Sequence, residues 1–121
     1  MQEFYENVIS LEIMRRSEDI IFFNIAQGFE GHTQALVLFA EALPPNHKSR
    51  LFSGLNAQAT TLHHIAFTIS QTDFASEKDR LEQLGLDVEI REHEWVHWRS
   101  LYVVDPEGNV VELVCYDESV V

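Results

Sequence analysis

Leu101-Tyr102-Val103-Val104-Asp105-Pro106-Glu107-Gly108-Asn109-Val110-Val111-Glu112-Leu113-Val114 reads as strand, tight turn, strand. Pro106 fixes one backbone φ of the turn, and Gly108 or Asn109 can take a positive one. Runs rich in Val flank the turn on both sides, as strands do. Glu112 breaks the pattern. It places a carboxylate in the middle of Val-Val-Glu-Leu-Val, where an unpaired buried charge is costly. A positive charge is expected against it, and a metal ion is one candidate.

Working outward, Arg99 to Val104 and Val110 to Tyr116 are predicted strands, preceded by a strand over Val88 to Arg91 and a loop or ragged strand over His93 to Trp98. Asp73 to Leu84 reads as a helix, with Phe74, Leu81 and Leu84 as core contacts and Gly85 as its cap. Leu62 to Ile69 reads as a strand. Its alternation puts His64, Ala66 and Thr68 on one face, and Ile65, Phe67 and Ile69 on the other. Upstream, Pro44 to Thr61 reads as a linker. Before it come predicted strands at Leu11 to Arg15, Ile20 to Ile25 and Ala35 to Ala40, with a turn bracketed by Gly28 and Gly31. Phe4 to Ile9 reads as a helix end, with Phe4, Tyr5, Val8 and Ile9 on one face.

The second half is thus strand, helix and three strands, and the first half repeats the order with its opening cut off. Val8-Ile9-Ser10-Leu11-Glu12-Ile13 parallels Gln83-Leu84-Gly85-Leu86-Asp87-Val88 at an offset of 75 positions. This is the self-similarity of an internal duplication. The offset sets Val37-Leu38-Phe39 against Glu112-Leu113-Val114. It sends the strand at Leu62 to Ile69 to positions before Met1, so the first module is expected to lack its opening strand and most of its helix.

With 121 residues, the chain is sized for one domain or two small modules sharing a core. Acidic residues number 20 and basic ones 8, for a formal charge of −12. That argues against a nucleic-acid footprint and against attraction to anionic lipid. Cys115 is the lone cysteine, which rules out an internal disulfide and fits a reducing, cytoplasmic setting. It sits in an apolar run and is expected to be a buried small hydrophobe. No apolar run approaches membrane-spanning length, and Met1 to Asn7 carry no basic segment of a signal peptide.

Leu62-His63-His64-Ile65-Ala66-Phe67, the helix ending Leu84-Gly85, and Asp105-Pro106-Glu107-Gly108-Asn109-Val110-Val111-Glu112-Leu113 resemble the vicinal oxygen chelate superfamily. Its members include glyoxalase I, extradiol ring-cleaving dioxygenases, fosfomycin-resistance enzymes and bleomycin-binding proteins. Phe4-Tyr5 followed by Ile9-Ser10-Leu11-Glu12 resembles the family's first-module helix end, with Ser10 where glycine is usual. The resemblance implies an α+β fold of paired βαβββ modules whose curved sheets form a cleft, the first module truncated at its N-terminus. The expected layout is a truncated first module at 1–43, a linker at 44–61 and a complete second module at 62–121.

The resemblance also implies a site. His64 matches the family's metal-binding histidine on the first strand of a module, and Glu112 its glutamate on the last. An imidazole and a carboxylate suit Fe(II), Mn(II), Ni(II) or Zn(II). Each residue has a plainer reading. His64 can be a hydrogen-bonded histidine, and Glu112 can pair with Arg99 or accept backbone hydrogen bonds. His63 faces the other way on the predicted strand and reads as structural. A third ligand is not evident. Gln34-Ala35-Leu36-Val37-Leu38-Phe39, the first module's last strand, has no carboxylate; Gln34 is the only plausible donor there, and His32 lies just outside. Extradiol dioxygenases resemble this chain in a tyrosine at the place of Tyr102, which hydrogen-bonds substrate, and in an acid–base histidine that falls near His93. Tyr102 is also an ordinary aromatic strand residue. Trp95, His97 and Trp98 suit either a pocket wall or a subunit contact.

Two functions of different class follow. One is a metal-dependent dioxygenase, lyase or isomerase acting on a small molecule with vicinal oxygens. The other is a metal-free binding protein for cationic, bleomycin-type molecules, favoured by the acidic charge. An inactive remnant is the third reading. An open strand edge where the first module is cut predicts a homodimer.

Overall fold

The computed structural model describes residues 1–28, 30–39 and 63–121. The predicted linker and the start of the strand at Leu62 lie outside the described residues. The chain divides into two compact units, Met1–Thr61 and Leu62–Val121.

The second unit is a four-stranded sheet with one helix. Its strands are β4 (Ile65–Thr68), β5 (Glu89–His93), β6 (Trp98–Val104) and β7 (Val110–Tyr116), in the order β4-β7-β6-β5. β4 and β7 run parallel; the other pairs are antiparallel. A parallel pair needs a long crossover, and helix α1 (Phe74–Gln83) with the strands after it supplies the connection. α1 buries Phe74 and Leu81, seven residues apart on one face, whereas Leu84, a predicted core contact, is exposed. The Arg99 guanidinium lies 5.6 Å over the Phe74 ring, tying the start of α1 to β6.

β6 and β7 carry the core because alternation sorts their side chains to two faces. Leu101, Val103, Val111, Leu113 and Cys115 are all buried, and Cys115 behaves as the expected small hydrophobe. Between the strands, Asp105 anchors the turn. Its carboxylate accepts from the backbone N–H of Glu107 and of Asn109, each at 2.9 Å, and Gly108 takes φ +86°. Past β7, the buried Asp117 accepts from Ser119 and pairs with Arg99 at 2.9 Å. Those Ser119 hydrogen bonds, aided by Arg99, hold its carboxyl below the usual carboxylate range. Arg99 also pairs with Glu92. It is therefore engaged with Glu92 and Asp117, not with Glu112.

The first unit contains a π-helical turn, Phe4–Val8, then an antiparallel meander of β1 (Glu12–Arg16), β2 (Ile20–Gln27) and β3 (Thr33–Phe39). Phe4, Tyr5, Ile9 and Phe23 form its buried core, with the Tyr5 and Phe23 rings 6.2 Å apart. Ser10 ends the helical turn at φ +64°, and Gly85 ends α1 at φ +80°. The two positions matched in the sequence thus share the left-handed geometry that favours glycine.

The strands keep a different register from the helix ends. Glu12 pairs with Asn24 and Asn24 with Ala35, as Glu89 pairs with Tyr102 and Tyr102 with Glu112. Phe23 and Leu101, each 0% exposed, then occupy corresponding places. The first-unit counterpart of Glu112 is therefore Ala35, not Val37. The cause is local: the segment from Gly85 to β5 is two residues longer than that from Ser10 to β1.

Candidate functional site

The face of the second sheet opposite Leu101 and Leu113 carries Ser100 and Tyr102 from β6 and Glu112 from β7, with His64 just ahead of β4. Register explains the meeting. Tyr102 is directly opposite Glu112 across the antiparallel pair, and Ala66 is opposite Glu112 across the parallel one. Ser100 lies two residues from Tyr102 on the same face.

Glu112 is 3% exposed and every contact it makes here comes from a side chain. Its Oε1 accepts from the Ser100 hydroxyl at 2.5 Å and from the Tyr102 hydroxyl at 2.9 Å. Its Oε2 lies 2.9 Å from His64 Nε2. Three donors around one buried carboxylate offset the loss of water that burial imposes. The O–H···O distance at Ser100 is in the range of charge-assisted hydrogen bonds.

The network extends in both directions. His93 Nε2 lies 3.0 Å from the Tyr102 hydroxyl. At the other end, His64 Nδ1 lies 2.8 Å from His63 Nδ1, and the two rings meet edge to face. Five side chains, His63, His64, Glu112, Tyr102 and His93, form one connected chain, with Ser100 branching from the carboxylate. Burial, and then the hydrogen bond to Glu112, pushes the Tyr102 phenol above its ordinary value. Tyr102 therefore keeps its proton at neutral pH and acts as a donor.

The four residues given a metal-binding or catalytic role by the resemblance, His64, Glu112, Tyr102 and His93, lie within this network. Two more belong to it. Ser100 was not anticipated, although alternation from Tyr102 and Glu112 is the signal that finds it. His63 turns back onto His64 rather than facing away, because β4 begins at Ile65 and strand alternation does not extend to 63 and 64. Trp95 and Trp98 are exposed and take no part in these contacts. His97 bonds instead to the Val120 carbonyl at 2.6 Å.

The donor set is right for a divalent ion. His64 Nε2 and Glu112 Oε2 are 2.9 Å apart. Two ligands bound at about 2.1 Å and at right angles stand about 3.0 Å apart, so both atoms can reach one ion without large rearrangement. Imidazole and carboxylate are also the chemistry such ions select. Among the described residues no group of three or more His, Cys, Asp or Glu side chains converges on one point. Two protein donors leave the rest of the shell to other ligands.

Among the described residues no helix is long and apolar enough to cross a membrane. The family description for the glyoxalase/bleomycin resistance protein/dioxygenase superfamily matches residues 1–113. Among solved structures, lactoylglutathione lyase from Agrobacterium tumefaciens is 27% identical with a TM-score of 0.65, over 94% of this chain and 81% of that one. The fosfomycin resistance protein FosX from Mesorhizobium loti is 25% identical with a TM-score of 0.59, over 95% and 79%. FosX from Listeria monocytogenes, solved with Mn(II) and sulfate, shares the fold at 22% identity and a TM-score of 0.62, over 97% and 79%. Strand order, helix placement and the match over residues 1–113 agree, and the chain belongs to the glyoxalase/bleomycin resistance protein/dioxygenase superfamily.

Proposed function

We propose that this chain is a metal-dependent enzyme acting on a small molecule with two adjacent oxygens, and that His64 and Glu112 supply two of the ion's ligands. The observation that carries this reading is the 2.9 Å approach of His64 Nε2 to Glu112 Oε2 on one face of the sheet. Fe(II), Mn(II), Ni(II) and Zn(II) all suit the pair, and Mn(II), present in one FosX neighbour, is the first to try. When bound, the ion supplies Lewis acidity and a template for the two substrate oxygens.

The protein's own groups do the rest. Contact with His63 gives His64 a second position for its proton: Nε2 donates to Glu112 when no ion is bound, and a proton on Nδ1 pointing at His63 Nδ1 would leave the Nε2 lone pair for the ion. Tyr102 holds its proton between Glu112 and His93, so it donates a hydrogen bond and orients. His93, at the outer end, is the group placed to take or return a proton. Ligand positions beyond these two are filled by substrate, water or a donor from a second subunit. A homodimer is part of the proposal, because β3 pairs only with β2 among the described residues and leaves its other edge open.

A second reading, a metal-free protein that binds small cationic molecules, draws on the same geometry. Glu112 has three side-chain partners, Ser100, Tyr102 and His64, that together can satisfy its carboxylate. Turnover assays separate the two. Catechols with dioxygen and thiol adducts of 2-oxoaldehydes are incubated separately with Mn(II)-loaded protein, and one of the two classes is expected to react. The rate should vanish with chelator and return with Mn(II), and His93→Ala should lower it by about 10²–10⁴. Chelator-insensitive binding of a bleomycin-type cation, without turnover of either class, would support the second reading instead.

A further inference from the structure

We infer that Ser100 is a positioning residue that, together with Tyr102, occupies Oε1 of Glu112, so that the carboxylate engages a metal through Oε2 alone. This rests on the metal-dependent reading above and goes beyond it, because it fixes which oxygen binds and what holds it there.

A carboxylate oxygen has about two lone pairs in position to accept hydrogen bonds. Oε1 of Glu112 accepts from Ser100 Oγ at 2.5 Å and from Tyr102 OH at 2.9 Å, which uses both. Oε2 faces His64 Nε2 at 2.9 Å. The two oxygens are thereby made unequal, one committed to the protein and one turned toward the other ligand. Ser100 is 0% exposed and Glu112 3%. A hydroxyl in that position has no water to turn to, and its hydrogen bond fixes the carboxylate plane. Tyr102 is held in turn by His93 at 3.0 Å. Donors of this kind behind a ligand orient it and set its basicity. Without them the carboxylate is free to rotate and to chelate through both oxygens, a mode carboxylates adopt readily with hard cations.

The test compares Mn(II) binding by wild type, Ser100→Ala, Ser100→Thr and Tyr102→Phe in the full chain. Affinity comes from equilibrium dialysis. The binding mode comes from metal-minus-apo infrared difference spectra, in which the spacing of the two carboxylate stretches separates one-oxygen from two-oxygen coordination. Thermal unfolding of the metal-free proteins monitors the fold. Ser100→Ala is expected to bind Mn(II) about 10–100-fold more weakly and to shift the stretches toward the two-oxygen pattern. Ser100→Thr, which keeps the hydroxyl, should restore both. A purely structural serine would change the unfolding temperature and leave the spectrum alone. If Ser100→Ala does not fold, Tyr102→Phe removes the other donor to the same oxygen and is expected to show the same two changes. Unchanged affinity and stretches in the folded variants would overturn this inference while leaving the metal-dependent reading intact. If the wild type does not take up Mn(II), the same comparison is run with Fe(II), Ni(II) and Zn(II), and failure to take up any of the four would overturn both.

Discussion

Strands β3 and β7 hold corresponding places in the two units, yet among the described residues β3 has one strand neighbour and β7 has two. β7 lies between β4 and β6, and its residues from Val111 to Cys115 are all buried. β3 pairs only with β2 among the described residues, and its residues from Thr33 to Ala35 are exposed. Glu112 on β7 corresponds to Ala35 on β3, and Tyr102 on β6 to Asn24 on β2. The chemistry therefore gathers on the strand with neighbours on both sides. A carboxylate becomes a defined ligand only where packing and donors fix its orientation. An exposed edge strand could carry the same acid without giving it a direction.

The largest effects should come from the anchors that make the units comparable. Phe23→Ala is expected to cost about 3–5 kcal/mol and Leu101→Ala about 2–5 kcal/mol in urea unfolding. A loss below about 1 kcal/mol at either position would break the equivalence of these two residues, since it would match a surface substitution.

The helix ends offer a finer comparison. Gly85 has φ +80° with open space where a Cβ would stand, so strain alone opposes a side chain there. Gly85→Ala should cost about 1–2 kcal/mol. Ser10 has φ +64° and already bears that strain, so Ser10→Gly should stabilise by a smaller amount, about 0.5–1 kcal/mol. Thermal denaturation of the pair checks both signs. If Ser10→Gly destabilises, the two helix ends do not share one geometry.

The smallest effect tests the edge strand itself. Ala35→Glu places an acid at the counterpart of Glu112. Because Ala35 is exposed, it should change stability by no more than about 0.5 kcal/mol. A substantially larger loss would show that β3 is more tightly packed than its exposure indicates.

Much of this was legible in the residues. Asp105 to Asn109 announced the turn, and Val110 to Tyr116 formed over the predicted span, because a Pro- and Gly-containing turn between Val-rich runs leaves little choice of register. The place of His64 near Glu112 followed from the family resemblance, and Tyr102 and His93 fell into the same network. The rest depended on information that spacing does not carry. The 75-residue offset held at Ser10 and Gly85 but not in the strands, where hydrogen-bond pairing sets the register. Leu84 looked apolar enough for the core, yet it is the C-cap of α1 and projects past the buried face. Ser100 is not legible in the same way, because a serine in a strand carries no signal of its own; only its hydrogen bond to an acid 12 residues on, in the neighbouring strand, gives it meaning.

The central claim is that the imidazole of residue 64 and the carboxylate of residue 112 bind one ion together. Metal uptake by purified, chelator-stripped protein tests it most directly, with Fe(II), Mn(II), Ni(II) and Zn(II) offered separately and the bound metal counted after dialysis. The account predicts stoichiometric uptake of at least one of these ions by the wild type, lost in both His64→Ala and Glu112→Ala while each variant remains folded. No uptake of any of the four, or uptake that survives both substitutions, would contradict it.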